Sequence, residues 1–360
     1  MLRVLIVDDS ALMRRQLRKL LEAEDDIEVV QARSGVEALE QLARHAPQVV
    51  TLDVNMPDMD GLACLERIMR EAPRPVVMVS SATAAGSDAT VRALALGAVD
   101  VVLKPGSAGV PSGIERLQAE LLAKVRAAAA ARPRRMRGLR ENLRAERALG
   151  ERRRAELRDQ SRQSLGLTLI GVSTGGPRVL EEVLPALPPD YPQAIVIAQH
   201  MPRAFTASLA QRLNGLCALP VAEVGQPTPL RAGHIYIARG EADIVLEMRL
   251  GRLIARSVAA DGSPWHPSVS RMVSSALAVV PAASMIGVQL TGMGDDGAQE
   301  MALLHQRGGR TIAEAEESAV VFGMPGELVR RGGATAILPC DRIATQLRQW
   351  TGTERRSWPC

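Results

Sequence analysis

Residues Thr168 to Pro177 read T-L-I-G-V-S-T-G-G-P, and the change of character along them decides the fold. Thr168 to Val172 is a short, β-branched apolar run, which predicts a strand. Pro177 opens R-V-L-E-E-V-L-P, a helix whose first position suits proline. Ser173 therefore sits on a sharp strand-to-helix turn between Gly171, Gly175 and Gly176. Without Cβ atoms, such a turn adopts unusual backbone angles and lets a substrate approach closely. The G-x-S-x-G spacing matches a nucleophile elbow. Taken alone, a serine in a glycine-rich turn is more often an ordinary turn residue.

Moving outward, the strand–helix rhythm continues from about Leu165 to the C-terminal end. Ala194 to Ala198 is an apolar strand running into Gln199-His200-Met201-Pro202, and Met285 to Leu290 runs into T-G-M-G-D-D-G, Thr291 to Gly297. Ser173, His200 and either Asp296 or Asp295 each follow a strand, so one sheet edge can bring them together. A serine hydroxyl is a poor nucleophile near neutral pH and needs a neutral imidazole to take its proton. A carboxylate on the far ring nitrogen fixes the tautomer and stabilises the imidazolium. The amide following the nucleophile, that of Thr174, is a candidate oxyanion donor. The order Ser, His, Asp differs from the Ser, Asp, His of α/β-hydrolases. His45, His234, His266 and His305 lack metal-ligand spacing. His305 reads as a helix-face residue and His266 as a core or loop residue.

Residues 1 to about 125 carry the same rhythm. Strands are expected at Leu2–Val7, Glu28–Ala32, Val49–Val54, Val76–Ser80 and Val101–Leu103, with helices such as Ala11–Glu22 and Gly35–His45 between them. Five such units imply a doubly wound parallel sheet, whose ligands bind at the C-terminal strand ends. Asp8, Asp9, Asp53, Ser80 and Lys104 collect there. Three crowded carboxylates repel one another unless a cation lies between them, and an oxygen-only set suits Mg²⁺ with room for a phosphoryl group. Ser80 and Lys104 offer a hydroxyl and a positive charge to phosphate oxygens.

The whole chain is thus expected to be α/β, with two doubly wound parallel-sheet domains at 1–124 and 165–352, an Arg-rich, partly helical linker at 125–164 and a tail at 353–360. Net charge is +4, but Lys124 to Arg162 holds 14 Lys/Arg against 5 Asp/Glu. The basic balance belongs to that connector, so neither domain reads as nucleic-acid-binding. The connector itself reads as a solvated linker or as a basic arm for an acidic partner or anionic surface. No secretory signal or membrane-spanning run is evident, and Cys64, Cys217, Cys340 and Cys360 are scattered, as in a reducing cytoplasm.

Residues 1–125 resemble a two-component receiver domain through Asp8, Asp9, Asp53, the N-M-P-D-M-D-G loop from Asn55 to Gly61, Ser80 and Lys104-Pro105. The resemblance implies phosphorylation of Asp53 by a histidine kinase, with Mg²⁺ held by Asp8, Asp9, Asp53 and the backbone carbonyl of Asn55. Val101 stands where many receivers carry an aromatic switch residue. Residues 165–352 resemble the catalytic domain of the chemotaxis protein-glutamate methylesterases (CheB family). The supporting stretches are G-V-S-T-G-G-P, Q-H-M-P, G-H-I-Y-I-A, H-P-S-V, L-T-G-M-G-D-D-G and V-V-F-G-M-P.

That second resemblance implies hydrolysis of γ-methyl glutamyl esters on chemoreceptors and deamidation of receptor glutamines. Ser173 is then the nucleophile, His200 the base, Asp296 the third member and Met293 a further oxyanion donor. Ala238-Arg239, Ser270 and Glu314-Ala315 depart from the family pattern, and none is expected to touch the triad. Two other readings use the same features: a non-catalytic receptor-binding adaptor, which a broken triad would favour, and a DNA-binding response regulator, which a helix-turn-helix after the linker would favour.

Overall fold

The structure is a computed structural model that describes residues 1–81, 83–104, 114–131 and 166–352. It divides into two compact units. Most of the Arg-rich connector, Pro105 and the 353–360 tail lie outside the described residues.

In the first unit, β1 (Leu2–Val7), β2 (Ile27–Ala32), β3 (Val49–Asp53), β4 (Val76–Ser80) and β5 (Asp100–Leu103) form one sheet in the order β2-β1-β3-β4-β5. All its pairings are parallel. The strands are Val/Leu/Ile-rich because helices cover both faces, leaving no side for polar alternation. Those helices are α1 (Ala11–Leu21), α2 (Gly35–His45), α3 (Gly61–Glu71), α4 (Ala84–Ala95) and α5 (Ile114–Ala130). The side chains of Ser10, Ser34, Asp60 and Thr83 cap the first four, each accepting an otherwise orphaned backbone N–H.

The expected domain boundary at 124 falls inside α5, which continues to Ala130 and buries Val125 and Ala128. Lys124 belongs to this unit, as the boundary placed it, and residues 125–130 join it there. Its ammonium donates to the Val101 carbonyl at 2.6 Å and sits between Glu120 (2.7 Å) and Asp100 (3.3 Å). Burial opposes its charge, but the two carboxylates outweigh that and hold its pKa above the ordinary lysine value.

The second unit has a seven-stranded parallel sheet in the order β15-β14-β13-β6-β7-β10-β8. Its strands are β6 (Leu167–Val172), β7 (Ala194–Gln199), β8 (Val221–Val224), β10 (Ile235–Ala238), β13 (Met285–Gln289), β14 (Arg310–Glu314) and β15 (Ala336–Leu338). The covering helices are α6 (Gly176–Val183), α7 (Arg203–Leu216), α8 (Val269–Val279), α9 (Ala298–Gln306), α10 (Met324–Arg330) and α11 (Cys340–Thr351). From β6 the chain builds outward through β7 on one side and through β13 on the other. The strand order therefore reverses between β6 and β13, and the crevice above such a reversal is where doubly wound sheets bind ligands.

A third sheet is antiparallel and was not expected from the sequence. It comprises β9 (Thr228–Pro229), β11 (Ala242–Arg249) and β12 (Arg252–Ala259) in the order β11-β12-β9. Its hairpin closes through Leu250 and Gly251, both at positive φ, as the tight twist of a two-residue turn demands.

Candidate active site and acidic pocket

Parallel pairing sets Val172 of β6 opposite Gln199 of β7, so the next residues, Ser173 and His200, emerge side by side. On the other flank Gln289 of β13 opposes Gly171, which brings the 290–297 loop up against the serine. The main chain of Ser173 is tied to both neighbours. Its N–H donates to the Thr291 carbonyl at 2.9 Å, and its carbonyl accepts from Gln199 Nε2 at 2.9 Å and from the Gly176 N–H at 2.8 Å. Gly175 turns the chain at φ 78°, a left-handed conformation that glycine adopts without penalty. Thr174 follows the serine directly, and Met293 follows Gly292, so both expected oxyanion amides belong to turns beside Ser173.

Gly292 is needed for its lack of a side chain. A Cβ there would lie 2.6 Å from the Ser173 Cβ and 2.5 Å from the Met324 sulfur. Gly292→Ala must therefore displace the serine turn. A shift approaching 1 Å at a reacting group costs on the order of 10²-fold in rate. A fall of that size in kcat, with the thermal unfolding midpoint recorded alongside, is the expected outcome.

His200 Nε2 lies 2.8 Å from Asp296 Oδ2. The opposite ring nitrogen, Nδ1, is buried and has no hydrogen-bond partner among the described residues. A carboxylate at Nε2 keeps the proton there and leaves the Nδ1 lone pair to act as a base. Asp296 is itself saturated with donors. Oδ2 also accepts from the Val269 N–H (2.6 Å), while Oδ1 accepts from the Ser270 N–H (2.9 Å) and the Ser268 hydroxyl (3.2 Å). These groups form the N-terminus of α8, capped by Ser268, where orphan N–H groups and the helix dipole favour an anion. Burial alone would raise the Asp296 carboxyl. The hydrogen bond and charge of His200, followed by the Ser270 donors, outweigh burial and hold it below the usual carboxylate range.

Of the two candidate acids, only Asp296 meets the histidine. The Asp295 side chain is 65% exposed and lies 3.7 Å from Arg331. One expectation needs correction. Ser270, one of the departures expected to lie clear of the triad, donates to Asp296 through its N–H and accepts the Gly297 N–H on its hydroxyl at 2.9 Å. Buried Glu314, another departure, touches no triad residue, as expected, but accepts from the Thr291 N–H and the Ser318 hydroxyl, each at 2.8 Å, and so pins the loop beside Ser173. A small residue at 270 frees a hydroxyl for the turn, and a carboxylate at 314 supplies two acceptors where the loop needs them.

Trp265 was missed by sequence reasoning. Its ring stacks on His200 with centroids 5.6 Å apart and planes 7° apart. The available signal was W-H-P-S-V, in which only the histidine was weighed. His266 is a loop residue, as expected, with Nδ1 2.8 Å from Asp243 Oδ1. His305 lies on α9, its Nδ1 3.1 Å from the Thr335 hydroxyl.

The first unit carries a separate acidic pocket where its own strand order reverses, between β1 and β3. Asp8 and Asp53 are buried, and Lys104 Nζ lies 2.9 Å from one and 2.7 Å from the other. Asp8 Oδ1 accepts the Ser10 N–H at 2.9 Å and Asp53 Oδ1 the Asn55 N–H at 3.3 Å. Ser80 is buried and its hydroxyl accepts from Thr90 at 2.8 Å. Burial pushes the Asp53 carboxyl up, the negative charge of Asp8 adds to this, and Lys104 offsets the two incompletely.

Oxygens of Asp8, Asp9 and Asp53 all lie within 4.8 Å of one another. Asp8 Oδ2 and Asp53 Oδ2 have Lys104 as counter-ion but no donor in hydrogen-bond alignment. An all-oxygen, underbonded, anionic set of this kind fits a hard divalent cation. Val101 is buried on β5, so the switch position carries no ring.

Residues 168–347 match the family described as CheB methylesterase, and residues 4–110 match the response regulator receiver domain. A protein-glutamate methylesterase/protein-glutamine glutaminase of Rhodospirillum rubrum is 52% identical over 97% of this chain and 96% of its own length. One from Rhodopseudomonas palustris is 51% identical over 97% of this chain and 98% of its own length. Among solved structures, the Thermotoga maritima CheB methylesterase catalytic domain aligns with a TM-score of 0.50 at 36% identity, covering 52% of this chain and 99% of that one.

Proposed function

The chain belongs to the CheB methylesterase family and bears a response regulator receiver domain, and from that premise we propose that Ser173, His200 and Asp296 carry its chemistry and Asp53 its regulation. The protein is a phosphorylation-linked methylesterase and glutaminase acting on chemoreceptors. The observation that carries the residue assignment is the His200–Asp296 pair at 2.8 Å, set beside Ser173 by strand register with the other imidazole nitrogen left as base.

Each step balances within the triad. His200 Nδ1 takes the hydroxyl proton as Ser173 Oγ bonds to the γ-carbonyl carbon of the methylated glutamyl side chain. The amides of Thr174 and Met293 receive the developing oxyanion. The carbon–methoxy bond breaks, the imidazolium returns its proton to the departing oxygen, and methanol leaves. Water then attacks the acyl-enzyme, giving its proton to His200, and Ser173 departs as the free hydroxyl, leaving glutamate. With a glutamine side chain the first leaving group is ammonia. No cofactor enters these steps.

In the receiver unit, Asp53 accepts a phosphoryl group from a histidine kinase. Asp8, Asp9, Asp53 and the Asn55 carbonyl would hold Mg²⁺, which supplies charge neutralisation for phosphoryl oxygens. Ser80 and Lys104 face those oxygens with a hydroxyl and a positive charge. No described helix is long and apolar enough to cross a membrane, and the protein works from the cytoplasmic side on membrane-held receptors, without nucleic acid as a partner. Domain limits of 1–124 and 165–352 serve this reading once the first is extended through α5.

The test is methanol release from methylated receptor membranes with and without a small-molecule phosphodonor. Wild type is expected to be stimulated. Asp53→Asn is expected to keep basal release and lose all stimulation, since the amide is neither acceptor nor anionic ligand. Stimulation that survives in Asp53→Asn would place the acceptor elsewhere.

A further inference from the structure

Behind the triad lies a second buried acid that the reaction does not use. Asp243 is 1% exposed and comes from β11, in the antiparallel sheet and not the parallel one that carries Ser173 and His200. Its carboxylate is filled from a single turn. Oδ1 accepts from His266 Nδ1 at 2.8 Å and from the Ser268 N–H at 2.6 Å, and Oδ2 accepts from Arg271 at 2.6 Å.

Every functional contact of that turn lies next to one of those anchors. Trp265, which stacks on the His200 ring, precedes His266. The Ser268 hydroxyl and the Val269 and Ser270 N–H groups, which hold both oxygens of Asp296, follow at once. We propose that Asp243 is a positioning residue of this active site: by fastening the 265–271 turn it sets Asp296 and the His200 ring in the geometry the reaction needs. This rests on the reading of Ser173, His200 and Asp296 as the catalytic set.

The same atoms raise a competing possibility, because Asp243, Asp261 and His266 bring ligand atoms within 4.8 Å of one another. The Arg271 guanidinium, 2.6 Å from Asp243 and 3.6 Å from Asp261, already supplies a positive charge there. Asp243 also has two further donors on its other oxygen. A carboxylate so filled is a clamp for backbone and side chains, not an open ligand for a cation.

A clamp acting through Asp296 affects the alignment of the base and not the binding of the receptor. Two readouts on the full-length protein separate these: the kcat against KM split for methanol release, and the strongly deshielded ¹H resonance of the His200–Asp296 hydrogen bond. Asp243→Asn is expected to lower kcat by about 10- to 100-fold, the scale of sub-ångström to ångström misplacement. KM should stay within about twofold, since uniform binding is untouched, and the resonance should weaken or vanish. His266→Phe keeps an aromatic ring but removes one donor to Asp243 Oδ1, while leaving every donor to Asp296 in place. It is expected to cost a few-fold in kcat with the same signature, and it decides the matter if Asp243→Asn does not fold.

The proposal is overturned by wild-type kcat in Asp243→Asn, by an unchanged resonance with a kcat loss matching a loss of folded protein, or by His266→Phe indistinguishable from wild type in both readouts. Wild-type protein without methanol release would instead remove the catalytic reading beneath it, while the resonance would still report on the clamp.

Discussion

Ser173→Ala is expected to reduce methanol release by on the order of 10⁶-fold, the scale on which a catalytic triad fails when its nucleophile is removed. The fold should survive. Ser173 is held through its main chain, to Thr291, Gln199 and Gly176, and an alanine keeps all of those bonds. The loss therefore belongs to kcat, and circular dichroism and the unfolding midpoint should match wild type. His200→Gln is expected to be about as damaging, because the serine hydroxyl loses its proton acceptor. A glutamine cannot restore it by holding the Asp296 side alone. Full activity in Ser173→Ala would contradict the mechanism outright.

The second large effect separates two adjacent aspartates. Asp296→Asn is expected to cost about 10⁴-fold in kcat, as when the carboxylate that fixes a catalytic imidazole becomes an amide. The donor pattern makes the cost hard to escape. One carboxylate oxygen accepts from His200 and the Val269 N–H, the other from Ser268 and the Ser270 N–H. Whichever way an asparagine turns, its NH₂ group faces a backbone N–H, so a donor meets a donor in a buried site. The neighbouring Asp295→Asn should change kcat by less than about twofold, because an exposed pair at 3.7 Å contributes little. Measuring both variants at one pH, with stability recorded, checks the assignment. Equal losses at the two positions would mean that the loop as a whole, and not the Asp296 carboxylate, matters.

What could be read from the sequence was what depends on local pattern. Buried parallel strands are short apolar runs followed by polar, glycine-rich turns, so Leu2–Val7 and Val76–Ser80 were recovered to the residue. Because polar residues sit at or just beyond the ends of those strands, the placement of Ser173, His200, Asp8, Asp53 and Lys104 at the strand ends was legible with them. The residue pattern alone left Asp295 and Asp296 open, and only the family resemblance pointed to Asp296: adjacent residues in a turn point to different sides, and the N-terminus of α8 is what receives the Asp296 carboxylate. The antiparallel sheet was missed because Thr228–Pro229 is two residues long and the hairpin turn is Leu250-Gly251 in place of an Asn-Gly signal.

The boundary at 124 failed for another reason. The basic run that starts at Lys124 suggested a linker from residue 125, yet α5 runs on to Ala130, burying Val125 and Ala128, with the half-buried Lys124 ammonium paired to Asp100, Glu120 and the Val101 carbonyl. A cation paired by residues at sequence distances of 4 to 24 has no local signature. Trp265 and Asp243 escaped for the same reason. Their roles exist only once β11, the 265–271 turn and the end of β7 share one place.

The central claim is that Ser173 becomes covalently acylated with His200 as its base, and it is tested most directly by labelling the full-length protein with a fluorophosphonate serine-hydrolase probe and locating the adduct by peptide mass spectrometry. The account predicts one modified peptide, carrying the adduct on Ser173, with labelling lost in Ser173→Ala and slowed by orders of magnitude in His200→Gln. An adduct on another residue, or labelling of Ser173→Ala at the wild-type rate, would contradict it.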